Sequence, residues 1–172
     1  MDAAALRADC ARCAALCCVA LAFDRSDDFG ADKPADAPCP HLDDGCRCAI
    51  HATRAQQGFG GCVVYDCLGA GQRVTQELFA GRSWRDDAGL LAPMAEAFRA
   101  MRRVHELLVL LDAAGRASLS VEERAVLREL RAALDPIGGW SRETLEPARI
   151  DGLARSTHGF LRSLRNRFLA AS

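Results

Sequence analysis

All nine cysteines of this 172-residue chain fall between Cys10 and Cys67, and residues 68–172 have none. They run Cys10-x-x-Cys13-x-x-x-Cys17-Cys18, then Cys39-Pro40-His41-Leu42, Cys46-x-Cys48-x-x-His51 and Cys62-x-x-x-x-Cys67. Thiols used only as small core residues would be scattered, so the segregation is a chemical signal. It constrains the fold because crowded thiolates repel one another unless a cation neutralises them or they oxidise. Zn²⁺, iron–sulfur clusters and Cu(I) are the usual partners of dense soft ligands.

The alanine-rich start predicts a helix over residues 4–21. On such a helix Cys13 lies about 60° and Cys17 about 20° from Cys10, with Cys18 about 80° round on the other side. Three or four thiols would then share a face. Pro38, Pro40 and the turn Asp43-Asp44-Gly45 place Cys39, Cys46 and Cys48 on loops. Phe59-Gly60-Gly61 precedes Cys62, and glycine lets a backbone fold closely around a metal. The loops are expected to wrap back onto the helix. His41 and His51 stand at ligand-compatible spacing from Cys39 and Cys48; each reads sooner as a loop histidine bonded to a carbonyl. The acidic stretch 23–38 reads as loop, with Lys33, the chain's lone lysine, inside it.

The remainder predicts a helical bundle. A short helix is expected over 73–79, with Trp84 packed behind it. Leu91, Met94, Phe98, Met101, His105, Leu108 and Leu111 recur at helical steps over 86–114. His105-Glu106 lacks the second histidine of a zinc-protease motif, and its place on the apolar stripe reads as a core histidine. Ser120 with Glu123 forms a capping box for a helix to Leu134 whose expected buried face is Val121, Leu127, Leu130 and Leu134. A last helix starts near Arg142 or Pro147, with Ile150, Leu153, Thr157, Phe160, Leu161, Leu164 and Phe168 inside and Arg149, Arg155, Arg162, Arg165 and Arg167 largely elsewhere. The expected class is mainly α: a small metal-stapled cysteine-rich lobe with long loops, residues 1–85, packed on a three-helix bundle, residues 86–172.

Charge narrows the functions. The net charge is −1, so bulk charge does not make the chain a nucleic-acid binder. Residues 1–67 hold six Lys/Arg against ten Asp/Glu, and residues 68–172 sixteen against thirteen. No apolar run reaches the ~18–20 residues of a membrane span, and the N-terminus does not read as a signal peptide. A cytoplasmic protein is therefore expected, and in a reducing compartment nine cysteines argue for metal over disulfides. No Ser–His–Asp set, paired carboxylates or phosphate loop is legible. Cys10-x-x-Cys13 also lacks the strand–helix setting of a thiol–disulfide oxidoreductase.

The cysteine pattern resembles the YkgJ-type family of zinc- or iron-chelating domains. The resemblance rests on Cys10, Cys13, Cys17 and Cys18, on Cys39-Pro40-His41-Leu42, on Cys48-Ala49-Ile50-His51, and on Cys62 with Cys67. It implies that these eight cysteines are metal ligands and leaves Cys46 as the spare thiol. The chain is also similar to the N-terminal region of longer bacterial proteins named for pentapeptide repeats, through Asp9 to Cys13, Leu16 to Leu21 and Tyr65 to Val74, although it has no such repeats. The expected function is metal binding at cysteine-ligated zinc or iron sites, in a structural, interaction or metal-handling role. The alternatives are an iron–sulfur protein in redox work, sensing or enzyme support, and a Cu(I) or zinc thiolate store. A reduced core without metal is the bland reading. The helical part is expected to dock a protein partner.

Overall fold

The computed structural model describes residues 3–170, and side chains from Ala5 to Arg165. Phe168 and Arg167, expected on opposite sides of the last helix, lie outside the described side chains. Among the described residues six α-helices carry the fold: α1 (Leu16–Ala20), α2 (Gly60–Val64), α3 (Ala70–Arg73), α4 (Leu91–Ala114), α5 (Val121–Leu134) and α6 (Pro147–Ala170). Three isolated antiparallel bridges occur, Phe23 with Lys33, Ser26 with Phe29 and Leu42 with Cys48, and no strand forms among the described residues. The mainly helical class is as expected. No helix among the described residues is long and apolar enough to cross a membrane. The chain divides into two compact units, the boundary along the sequence falling between Arg102 and Arg103, inside α4. The first unit thus reaches beyond residue 85 and takes in the start of α4.

In the first unit the expected helix over 4–21 is broken. Short 3₁₀ turns at Ala3–Leu6 and Cys10–Arg12 are followed by extended chain at Cys13, and only Leu16–Ala20 is α-helical. The break has a tertiary cause. Ala14 N–H donates to Thr75 Oγ1 at 3.1 Å, and Ala14 O accepts from Trp84 Nε1 at 2.7 Å. Both backbone groups of Ala14 are thereby satisfied outside a helix, and Ala15 turns the chain in the left-handed region (φ 57°). Such a conformation costs an alanine about 1–2 kcal/mol, so these partners must over-determine it. Leu16, Val19, Val74, Met94, Phe98 and Met101 are fully buried. After α3 the helix widens into a π turn, Val74–Leu78, which brings the Thr75 hydroxyl to Ala14.

The second unit holds the rest of α4 with α5 and α6. Ser120 caps α5 in the expected reciprocal box with Glu123. Arg131 of α5 pairs with Asp112 of α4, and Arg103 of α4 pairs with Asp151 of α6 at 2.7 Å. His105 is fully buried on the α4 stripe with Leu108 and Leu111. On α5 the buried residues are Leu127 and Leu134; Val121 is 76 % exposed. The expectation for Val121 fails on geometry, because six residues at 100° each place it about 120° away from Leu127. On α6, Ile150, Ala154, Thr157, Phe160 and Leu164 face inward, while Arg149, Arg155, Arg162 and Arg165 are exposed.

Candidate metal centre

Five separate chain segments bring thiols to one place. Cys10 opens the second 3₁₀ turn and Cys13 follows it. Asp9 starts that turn, its carboxylate accepting from Ala11 N–H at 3.1 Å. Cys17 and Cys18 lie on α1, with sulfurs 3.9 Å apart. The loops do fold back onto α1: Cys39 N–H donates to Cys18 O at 3.0 Å. Cys48 sits at the bridge to Leu42, and Ala49 N–H donates to His41 O at 2.8 Å, which closes the loop between the two sites of the pattern. Cys62 is on α2, and Cys67 O receives Ala70 N–H at the entry to α3.

All nine cysteines, together with His41 and His51, line a single cavity of about 590 Å³. The wall between them is mostly apolar, with Phe23, Phe29, Phe59 and Phe98 contributing. Phe23 stacks on Phe29 at 4.5 Å, and the His41 ring meets Phe59 edge-on at 4.9 Å. Cys10 and His51 are exposed, and the other thiols are partly covered. Cys46 is on the wall too. A tight turn holds it there: Cys46 N–H donates to Asp43 O at 3.2 Å, and the residue takes φ 59°. Its sulfur lies 3.7 Å from Ser83 Oγ.

Burial and neighbouring thiols favour the protonated form of these cysteines. Burial raises Cys13 from the ordinary 9.0 to about 12, and Cys17 and Cys67 nearby push the same way. The hydrogen bond with Cys18, then burial, lifts Cys17 well above its ordinary value. Burial also raises Cys10 and Cys62; Cys17 and Cys67 add to the rise at Cys10, and Cys17, Cys39 and Cys48 to that at Cys62. A metal inverts this logic, since a coordinating thiol is deprotonated outright.

Two cations at the site have no counterpart in the sequence reading. Arg54 lines the cavity, donates to His51 O at 2.9 Å and Cys62 O at 2.8 Å, and opposes the rise at Cys10 and Cys62. Lys33 is buried beside Cys17, Cys18 and Cys39. Neither follows a periodic pattern. Lys33 stands out in the sequence as the only lysine among twenty-two basic residues, which reads sooner as base composition than as function.

Comparison with known proteins adds a relative of unstated function. The chain is similar to a protein of Bacillus subtilis (strain 168) described as the uncharacterized protein YybG, at 35% identity over 146 residues. That match covers 85% of this chain and 52% of the relative, so the chain spans about half the length of the curated protein it matches. No family model matches the chain, and no solved structure matches it.

The donor set suits a soft metal, while its spread limits which kind. Among the described residues, no three His, Cys, Asp or Glu donors converge tightly enough to hold one ion. A closed tetrahedral Zn–Cys₄ site has Zn–S bonds of about 2.3 Å and therefore sulfurs about 3.8 Å apart. The Cys17–Cys18 pair has that separation, but no third donor joins it. Thiols distributed around a wide cavity fit a group that brings its own bridging atoms, as an iron–sulfur cluster brings sulfide.

Proposed function

We propose that the first unit is a metal-binding module whose cysteines hold zinc or iron, with an iron–sulfur cluster as the favoured form. The observation that carries this reading is the gathering of all nine cysteines, from five chain segments, on one cavity. The ligands are Cys10, Cys13, Cys17, Cys18, Cys39, Cys48, Cys62 and Cys67, with His41 and His51 on the same wall. Iron is favoured over closed zinc sites because the donors surround a volume and do not converge on single points. When bound, an iron–sulfur cluster supplies one-electron chemistry. The chain's own residues exclude water through the four phenylalanines and offset negative charge through Arg54.

The group would also staple the fold. Between Leu21 and Gly58 the described chain has no α-helix, and Lys33 is its one buried residue. Ligation would hold those loops where an apolar core does not. The proposed setting is the reducing cytoplasm, and the helical unit is proposed to dock a protein partner. Two closed zinc sites are the second reading, favoured by the 3.9 Å separation of Cys17 and Cys18. A Cu(I) or zinc store loses its main argument, which was a helical face of thiols that the break at Ala14–Ala15 removes.

The test is protein purified without oxygen, its absorption spectrum, and analysis of metal and acid-labile sulfide per chain. A brown protein with iron and sulfide supports the cluster. A colourless one with about two zinc ions supports the second reading. A chain that carries no metal, and takes up neither iron with sulfide nor zinc when reduced, overturns both.

A further inference from the structure

Lys33 is 3 % exposed, and its ammonium donates to three backbone carbonyls: Val19 O at 3.0 Å, Pro34 O at 3.0 Å and Ala37 O at 2.8 Å. Three acceptors use all three protons of an ammonium. Three separate acceptors suit the three protons of a compact ammonium, in a chain whose other twenty-one basic residues are arginine. The backbone fixes the residue as well, since Lys33 and Phe23 exchange hydrogen bonds at 2.8 and 3.0 Å.

A buried cation needs compensation. The nearby carboxylate, Asp36, is engaged by Arg99 at 2.6 Å, and no carboxylate pairs with Lys33 among the described residues. The backbone groups around the ammonium lie next to thiols in the chain. Two of its three carbonyls belong to residues beside the thiols, Val19 next to Cys18 and Ala37 two before Cys39, and Cys39 is itself bonded to Cys18 O. The ammonium also lies 5.7 Å from the centre of the Phe23 ring, whose other neighbours belong to the cavity wall. Burial lowers the ammonium's pKa, and the charges of Cys39, Cys18, Asp36 and Cys17 pull it back up.

We propose that Lys33 is the built-in counter-cation of the cysteine site, a positioning residue whose fixed charge stabilises the anionic, metal-holding arrangement of Cys17, Cys18 and Cys39. The proposal rests on the metal-binding reading above. Thiolate-rich centres carry net negative charge, and a cation fixed behind the ligands offsets it without occupying a coordination position. Because its three protons are already committed to carbonyls, the charge stays in place when the site is filled or emptied.

The experiment uses the full chain, reduced and loaded with zinc(II), in competition with a chromophoric chelator. Lys33→Met should lose zinc to chelator about tenfold more readily, the scale of one unit charge acting a few ångströms away in partly screened surroundings. Lys33→Arg, which keeps the charge, should recover part of that loss. A measurement on the unaltered chain guards against misfolding of Lys33→Met. Labelling with ¹⁵N-lysine gives a single side-chain ammonium resonance, which should shift when zinc is added. Equal retention by Lys33→Met and the unaltered chain, or a resonance that zinc leaves in place, overturns the counter-cation. Loss in both variants with no recovery in Lys33→Arg assigns Lys33 to packing alone and overturns it too. An unaltered chain that binds neither zinc nor iron with sulfide overturns the metal reading itself and the counter-cation with it.

Discussion

Gly71 on α3 is where the geometry of the cysteine unit can be tested without any metal. A Cβ added there would stand 2.6 Å from Cys13 Sγ, 3.6 Å from Cys13 Cβ and 3.8 Å from Phe98 Cε2. The first contact is about 1 Å short of an ordinary one; the other two are normal. The backbone of Gly71 is helical, so alanine meets no conformational strain and adds about 1 kcal/mol of helix propensity. Against this stands overpacking, which costs about 1–3 kcal/mol in a filled site. Gly71→Ala should therefore lower the stability of the metal-free protein by about 0–2 kcal/mol, or up to ~8 °C in Tm. In a Cys13→Ala background the sulfur is gone, and the same change should raise Tm by about 2–4 °C. The assay is thermal unfolding of the four proteins of this double-mutant cycle under reductant, where the coupling should reach about 1–3 kcal/mol. Equal effects of Gly71→Ala in the two backgrounds would refute the placement of Cys13 against α3. In the loaded protein, rotating the Cys13 sulfur away from the new methyl group also turns it from the cavity, so metal content should fall.

Cys13→Ser and Cys17→Ser should each lose metal and loosen the first unit, whereas Cys46→Ser should keep the full complement by elemental analysis; loss of a metal equivalent in Cys46→Ser means the set of eight ligands is wrong. Trp84→Phe removes the donor to Ala14 O and leaves a buried carbonyl without its partner, so unfolding should move down by about 1–3 kcal/mol; an unchanged Tm would show that the break before α1 does not depend on that bond. The metal-free protein should lose stability as pH rises from 9.0 toward about 12, because Cys13 is neutral in the fold until about 12 but ionises near 9.0 once unfolded. The contribution is whole below 9.0, amounts to about 4 kcal/mol at most, and disappears through that window; melts under reductant that stay level across it would contradict the burial of Cys13.

The parts of this fold that were legible are those decided locally. Ser120 and Glu123 lie three residues apart and form their box from the chain itself, and the α4 stripe from Met94 to Leu111 follows helical period because one face of a long helix meets a core. The first thiols were misread for the opposite reason. Ala3 to Ala20 has the composition of a helix, but Thr75 and Trp84, more than sixty residues away, take the backbone groups of Ala14. Alanine's preference is worth a few tenths of a kcal/mol per residue against most alternatives, less than two buried hydrogen bonds. The thiols still meet, through segments that no single period relates. Lys33 and Arg54 were missed because a side chain bonded to backbone carbonyls leaves no spacing to read.

The cavity wall is written across the chain from Cys10 to Phe98, and this sets a schedule for its making. On a ribosome the first four thiols emerge some 80 residues before Phe98, about 4–16 s at ordinary rates of synthesis. Ala14 waits as long for Trp84. For that interval Cys10, Cys13, Cys17 and Cys18 are four unshielded thiols on a nascent peptide, open to oxidation and to any passing ion. Closing the cavity is therefore a late event in the birth of the protein, and the early thiols are exposed to oxidation until then.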